Sequence, residues 1–116
     1  MKTQERRKLE VMFNALDALI DNTSESMPLR QALSLLSVAI REAQEGSADL
    51  RDVGHDTGAN SAVVSRDLLG LGKRGRTGKP GLGLIAAEED YSDLRRKPYK
   101  LTPHGHTVMR KLLEVL

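Results

Sequence analysis

Ser61, Ala62, Ser65 and Arg66 lie within the stretch TGANSAVVSRDLLGLG, residues 57 to 72. Their spacing of i, i+1, i+4 and i+5 gathers them on one stripe of a helix. Val64, Leu68 and Leu71, at i, i+4 and i+7, make the opposite, apolar stripe. The chemistry these residues can do is recognition. The serine hydroxyls donate and accept, and the guanidinium forks onto paired acceptors. The small side chains, with Asn60 just ahead of them, let a helix start approach a surface closely. An anionic groove fits that set: the serines reach phosphate or base edges, and Arg66 holds a guanine or a phosphate. An ordinary surface helix with one arginine has the same composition, so this stripe alone leaves both readings open.

Two further clusters are basic. DYSDLRRK, residues 90 to 97, sets Asp93, Arg95, Arg96 and Lys97 on one loop between two apolar runs. Such a tip can reach a minor groove, whose negative potential attracts arginine. Asp93 stands two residues before Arg95 and can orient it or its neighbour by pairing. The loop GKRGRTGKPGLG, residues 72 to 83, carries Lys73, Arg74, Arg76 and Lys79, which suit flexible phosphate contacts; a linker without a partner reads the same way. It is not a phosphate-binding P-loop: the residue five before Gly78 is Lys73, and Pro80 follows Lys79 where Ser or Thr is needed. GLGLIA leads into a strand and not a helix, which argues against a dinucleotide fold.

Charge is unevenly spread. Residues 1 to 65 hold 7 Lys/Arg against 10 Asp/Glu, and residues 66 to 100 hold 9 against 5. The basic excess therefore starts at Arg66, the footprint expected of a nucleic-acid contact and also of a solvated face. The 116 residues amount to one domain. Without cysteine there is no disulfide scaffold and no thiolate metal site. His55, His104 and His106 do not make a metal set, no serine lies in a nucleophile elbow, and neither a cofactor nor catalysis is expected. No apolar run approaches the roughly 20 residues of a membrane span, and the N-terminus lacks a signal-peptide core, so the expected compartment is the cytoplasm.

The elements that must position these clusters follow from periodicity. With aromatics at only 3%, the core must be aliphatic, which suits helices packed on helices. A first helix is predicted over 4–21, with Leu9, Met12, Phe13, Leu16, Leu19 and Ile20 on its apolar face. Pro28 opens a second, with Leu29, Ala32, Leu33, Leu36, Ile40 and Ala43 on one face up to a Gly46 cap. Ser47 is the expected N-cap of a short third helix, ADLRDVGHDT, with Leu50 and Val53 inward. Gly58 makes the turn into the fourth helix, from about Ser61 to Leu71. LGLIAAEED and KPYKLT read as two strands flanking the basic tip. Thr102 and Pro103 then start a last helix over 103–116, with Val108, Met109, Leu112, Leu113 and Leu116 apolar. Helix, turn, helix and hairpin in this order make a winged helix-turn-helix in a mainly α, α+β domain spanning 1–116.

With those residues in view, the chain resembles the MarR family of bacterial winged-helix regulators over about Pro28 to Met109. Val64-Ser65-Arg66 stands where that family has the V-S-R of its recognition helix. Asp93 and Arg95 match its D-x-R wing pair, and Leu101, Thr102 and Gly105 match its L-T-x-x-G. The resemblance implies a homodimeric repressor on a pseudo-palindromic operator in double-stranded DNA. Ser61, Ser65 and Arg66 would enter the major groove, and Arg95, oriented by Asp93, the minor groove. The loop of residues 72 to 83 is longer than the family's usual step to the wing, and the family's further dimer-building helix after the wing is not matched. The helices over 4–21 and 103–116 are the candidates to pair across a two-fold axis.

The favoured expectation is thus a sequence-specific DNA-binding transcriptional regulator. A winged-helix protein-interaction module, and a non-specific DNA-binding accessory protein of replication or plasmid and phage maintenance, stand beside it. The sequence does not identify an effector, whether small molecule or protein.

Overall fold

The computed structural model describes residues 1–73, 79–87, 92–93 and 95–116. In chain order these form helices α1 (Thr3–Asn22), α2 (Leu29–Glu45), α3 (Leu50–Thr57) and α4 (Ser61–Leu71). Strands β1 (Ile85–Ala87) and β2 (Tyr99–Leu101) and helix α5 (Pro103–Glu114) come next. The predicted strand LGLIAAEED is realised in its middle; residues 88 to 90 lie outside the described part. The strands pair antiparallel with Ile85 opposite Leu101 and Ala87 opposite Tyr99.

The core is aliphatic. Leu35, Val38, Val53, Val64, Leu71 and Leu84 are fully buried, with Leu68, Ile85 and Val108 nearly so. Helix α2 packs against α3, α4 and β2, and α1 lies against α5. The expected inward residues of α3, α4 and α5 include Val53, then Val64, Leu68 and Leu71, then Val108 and Leu112, and all of these are buried.

Two local expectations are corrected. Ser47 does not cap α3; Asp49 does. The Asp49 Oδ1 accepts from the Asp52 amide and the Asp52 Oδ2 accepts from the Asp49 amide, each at 2.9 Å. Each acid satisfies an amide that the first turn leaves without a helical partner. Ala48, expected inside the helix, is extended instead and bridges to Tyr99. The face of α2 is corrected too. Its buried residues are Ala32, Ser34, Leu35, Ser37 and Val38. Leu29, Leu33, Ile40 and Ala43, expected inward, are exposed. The reason is polar satisfaction. Ser34 donates to Asp67 at 3.3 Å and Ser37 to Asp56 at 2.7 Å, so two serines enter the interior without leaving a hydroxyl unpaired. A hydropathy pattern counts both as surface.

The ends of the elements obey the local rules more closely. Pro28 sits at the N-cap of α2, one residue before the helix proper, and Gly46 ends it with φ of 93°. Thr102 caps α5: its Oγ1 accepts from the Gly105 amide at 3.0 Å and donates to the Gly83 carbonyl at 2.6 Å. Gly105 is buried where a Cβ would collide with the Leu84 carbonyl oxygen, so this helix start lies directly on the chain entering β1.

Candidate nucleic-acid interface

The turn between α3 and α4 is set by Gly58, whose φ of 72° lies in the left-handed region that glycine adopts without a Cβ penalty. Its amide donates to the Gly54 carbonyl, closing α3. Asn60 then caps α4: its Oδ1 accepts from the Val63 amide at 3.0 Å. The carbonyl side of Asn60 is therefore engaged in the helix start, and its exposed amide nitrogen is the part left for a contact.

From that cap onward α4 has two unlike faces. Val64, Leu68 and Leu71 face the core. Ser61, Ala62, Ser65 and Arg66 are exposed, as their spacing predicts. Among the described residues no carboxylate forms an ion pair with Arg66. The N-terminal half of α4 thus offers two hydroxyls, a methyl and a guanidinium to solvent, beside a helix terminus whose partial positive charge favours an anion.

The wing is built differently from the simplest expectation. Arg95 and Arg96 are exposed and Lys97 is half-buried. Asp93 does not pair with the Arg95 side chain. Its Oδ1 accepts from the Arg95 backbone amide at 3.0 Å, and its Oδ2 lies 3.9 Å from the Arg96 Nε. The Arg96 amide also donates to the Asp93 carbonyl at 3.1 Å. Asp93 therefore shapes the turn that carries the arginines, and its carboxylate leans toward Arg96.

The basic loop is closed at its base by backbone pairing with the end of α4. Gly81 donates to the Lys73 carbonyl at 3.0 Å, Leu82 to Gly70 at 3.0 Å, Gly83 to Gly72 at 2.9 Å and Leu84 to Leu71 at 2.8 Å. Lys73 and Lys79, at the two roots, are exposed. Arg74 and Arg76 lie outside the described residues.

Sequence reasoning missed the residues that hold the two helices together. Along one face of α2, Gln31, Ser34, Ser37 and Arg41 reach the helix-turn-helix. Gln31 donates to the Asp67 carbonyl and Ser34 to its carboxylate, next to Arg66 on α4. Ser37 and Arg41 hold Asp56 in the last turn of α3. Hydrogen bonding by the Arg41 guanidinium draws the Asp56 pKa down to about 2, while the same bond raises that of Arg41. The three- and four-residue spacing of these polar side chains was the available signal, but it is meaningful only once the partner acids are placed.

Helices α1, α2 and α5, with Leu101 of β2, line an open apolar groove of about 640 Å³. Ala15, Leu36, Ala39, Ile40, Met109 and Leu113 line it, and Glu42 and His106, 3.4 Å apart, are its polar members. Met12, Phe13 and Leu16 are exposed on α1, and Leu116, two residues past the end of α5, is exposed and also lines the groove. Among the described residues no group of three or more acids and histidines is placed to hold a metal ion. Nor is any of the described helices long and apolar enough to cross a membrane.

No family model matches the sequence, and no curated protein is similar to it in sequence. Solved structures are similar in fold. A MarR family transcription regulator superposes with a TM-score of 0.60 at 15% identity, over 97% of this chain and 64% of that one. The Staphylococcus aureus MarR in complex with salicylate and kanamycin gives 0.59 at 20% identity, over 97% of this chain and 63% of that one. The PcaV transcriptional regulator of Streptomyces coelicolor, in complex with its natural ligand, gives 0.55 at 24% identity, over 96% and 68%. The chain thus has the winged helix-turn-helix fold of MarR-family regulators and spans somewhat under two thirds of the length of the first two.

Proposed function

We propose that this protein is a transcriptional regulator that binds double-stranded DNA sequence-specifically, most simply as a repressor that occludes its operator. The observation that carries this reading is the exposed Ser61–Ala62–Ser65–Arg66 stripe, mounted on a buried Val64–Leu68–Leu71 face at the second helix of a helix-turn-helix. In that geometry α4 is the recognition helix. Its hydroxyls and guanidinium read base edges, and Asn60 contributes from the cap. Lys73, Arg74, Arg76 and Lys79 supply phosphate contacts from the loop that α4 runs into, and Arg95, Arg96 and Lys97 supply them from the wing. The reading contains no catalytic step and no cofactor, and it implies the cytoplasm as the compartment.

The same reading takes residues 1–116 as one winged-helix domain and a homodimer as the active form. Supporting the dimer are the open apolar faces of α1, α2 and α5: Phe13 is 69% exposed, Leu113 65% and Ile40 55%. A patch of that kind on a soluble protein marks an interaction surface. A second copy would bury it and place two recognition helices on one duplex, about one helical turn apart.

Selection of bound fragments from a random duplex pool tests the proposal. Recovery of an inverted repeat with half-sites about 10 base pairs apart is the expected result. Recovery of no consensus would favour the non-specific accessory reading, and failure to retain duplex at low salt would favour a protein-interaction module.

A further inference from the structure

Asp56 occupies a place that helix electrostatics disfavours. It stands in the last turn of α3, where the carbonyl end of the helix dipole repels a negative side chain. It nevertheless gathers more side-chain bonds than any other acid among the described residues. The Arg41 Nη2 donates to its Oδ1 at 2.7 Å and the Arg41 Nε to its Oδ2 at 3.0 Å, a two-bond fork across the α2–α3 gap. Ser37, only 4% exposed, donates to the same Oδ2 at 2.7 Å. Asp52 and Glu45 lie on Arg41 at 3.5 and 3.2 Å and hold its Nη1. The fork is bidentate and its side chains are only 20% and 29% exposed, so it ties the end of α3 firmly to α2 and offsets the unfavourable helix end. Asp56 is in turn joined through Thr57 and the Gly58 turn to the exposed stripe of α4.

Resting on the DNA-binding reading, we propose that Arg41 is a positioning residue for recognition. Through Asp56 it fixes the end of α3 against α2 and so sets the direction in which α4 leaves the Gly58 turn. The Ser34–Asp67 bond holds α4 itself to the same face of α2, so both helices of the motif are referenced to one rigid element. Arg41 has its guanidinium committed to three acids and is not itself a phosphate contact. Its loss therefore loosens the angle of the recognition helix while leaving the charges that face DNA unchanged.

The test uses the full chain, a duplex recovered by selection and a scrambled duplex of the same composition. The variants are Arg41→Met, Asp56→Asn and the double variant, measured well below their unfolding midpoints. Arg41→Met is expected to weaken the selected duplex about tenfold and to leave the scrambled one unchanged, as a coupling energy near the middle of the usual range gives. Asp56→Asn should match it, and the double variant should lose no more than either single. The slope of log affinity against log salt should stay at the wild-type value. A slope smaller by about one would make Arg41 a direct phosphate contact and overturn the inference. An unchanged ratio of selected to scrambled affinity would overturn it as well, as would additive losses. If Arg41→Met does not fold, Arg41→Lys, which keeps the charge but not the fork, reads the same ratio. A wild-type protein with no preference for the selected duplex would instead remove the DNA reading on which the inference stands.

Discussion

Ala48 and Tyr99 exchange both of their backbone hydrogen bonds, Ala48 N to Tyr99 O at 3.0 Å and Tyr99 N to Ala48 O at 2.8 Å. Ala48 is the last residue but one before α3, and Tyr99 is the first residue of β2. This pair of hydrogen bonds ties the start of the helix-turn-helix to the returning strand of the wing. The two basic surfaces are therefore tied into one frame by backbone pairing, beside the shared core that Leu71, Ile85 and Leu101 enter.

Ala48 is fully buried, so removing its amide leaves the Tyr99 carbonyl without a donor. Ala48→Pro should cost about 1–3 kcal/mol, the usual penalty for a buried group left unpaired. Urea unfolding followed by circular dichroism reads it. A midpoint equal to the wild type would mean that the bridge carries no stability.

The hydroxyl of Thr102 makes two bonds at the wing's exit, one to the cap of α5 and one to Gly83. Thr102→Ala should destabilise by about 1–2 kcal/mol and Thr102→Ser by much less, because serine keeps the oxygen. At the neighbouring Gly105 any Cβ meets the Leu84 carbonyl, so Gly105→Ala should cost about 1–3 kcal/mol through forced displacement of backbone. Equal midpoints for alanine and serine at position 102 would contradict the account of the cap.

Acid should weaken the α2–α3 link. Asp56 has its pKa lowered from 3.8 to about 2 by Arg41, against a smaller opposing effect of burial, with Ser37 and His55 adding to the lowering. A lowered carboxylate stabilises the fold above its unfolded pKa and loses that contribution as pH falls through the folded one. The stability difference between wild type and Asp56→Asn should thus be constant above about pH 5 and close between about pH 4 and pH 2. A difference that persists below that window would show that the carboxylate charge is not what holds Arg41.

The helix-turn-helix was legible in the sequence, and its supports were not. Gly58, Asn60 and the opposed faces of α4 come from local rules, because φ preference, capping and a single amphipathic stripe are settled within a few residues. Thr102 and Pro103 are of the same kind. The buried face of α2 is not local. Ser34 and Ser37 become interior only because Asp67 and Asp56 reach them from 33 and 19 residues away. Leu33 and Ile40 fit an inward apolar stripe equally well from the sequence, yet they are exposed. The role of Asp93 was half legible. Its place two residues before Arg95 points to an orienting acid, but only the folded loop puts its bond on the Arg95 backbone and its charge toward Arg96.

The exposed apolar faces predict association. Phe13→Glu, on the open face of α1, should convert a dimer into monomers in sedimentation or light scattering without lowering the helix content. A wild-type protein that is monomeric at micromolar concentration would contradict the dimer, and the recovered site should then be a single half-site.

In the proposed function α4 reads DNA through Arg66. Titration of wild type and Arg66→Ala against the selected and the scrambled duplex, each at several salt concentrations, tests it most directly. Arg66→Ala is expected to lose about 1–3 kcal/mol on the selected duplex, and its preference over the scrambled one should narrow. Unchanged affinity and unchanged preference would contradict it.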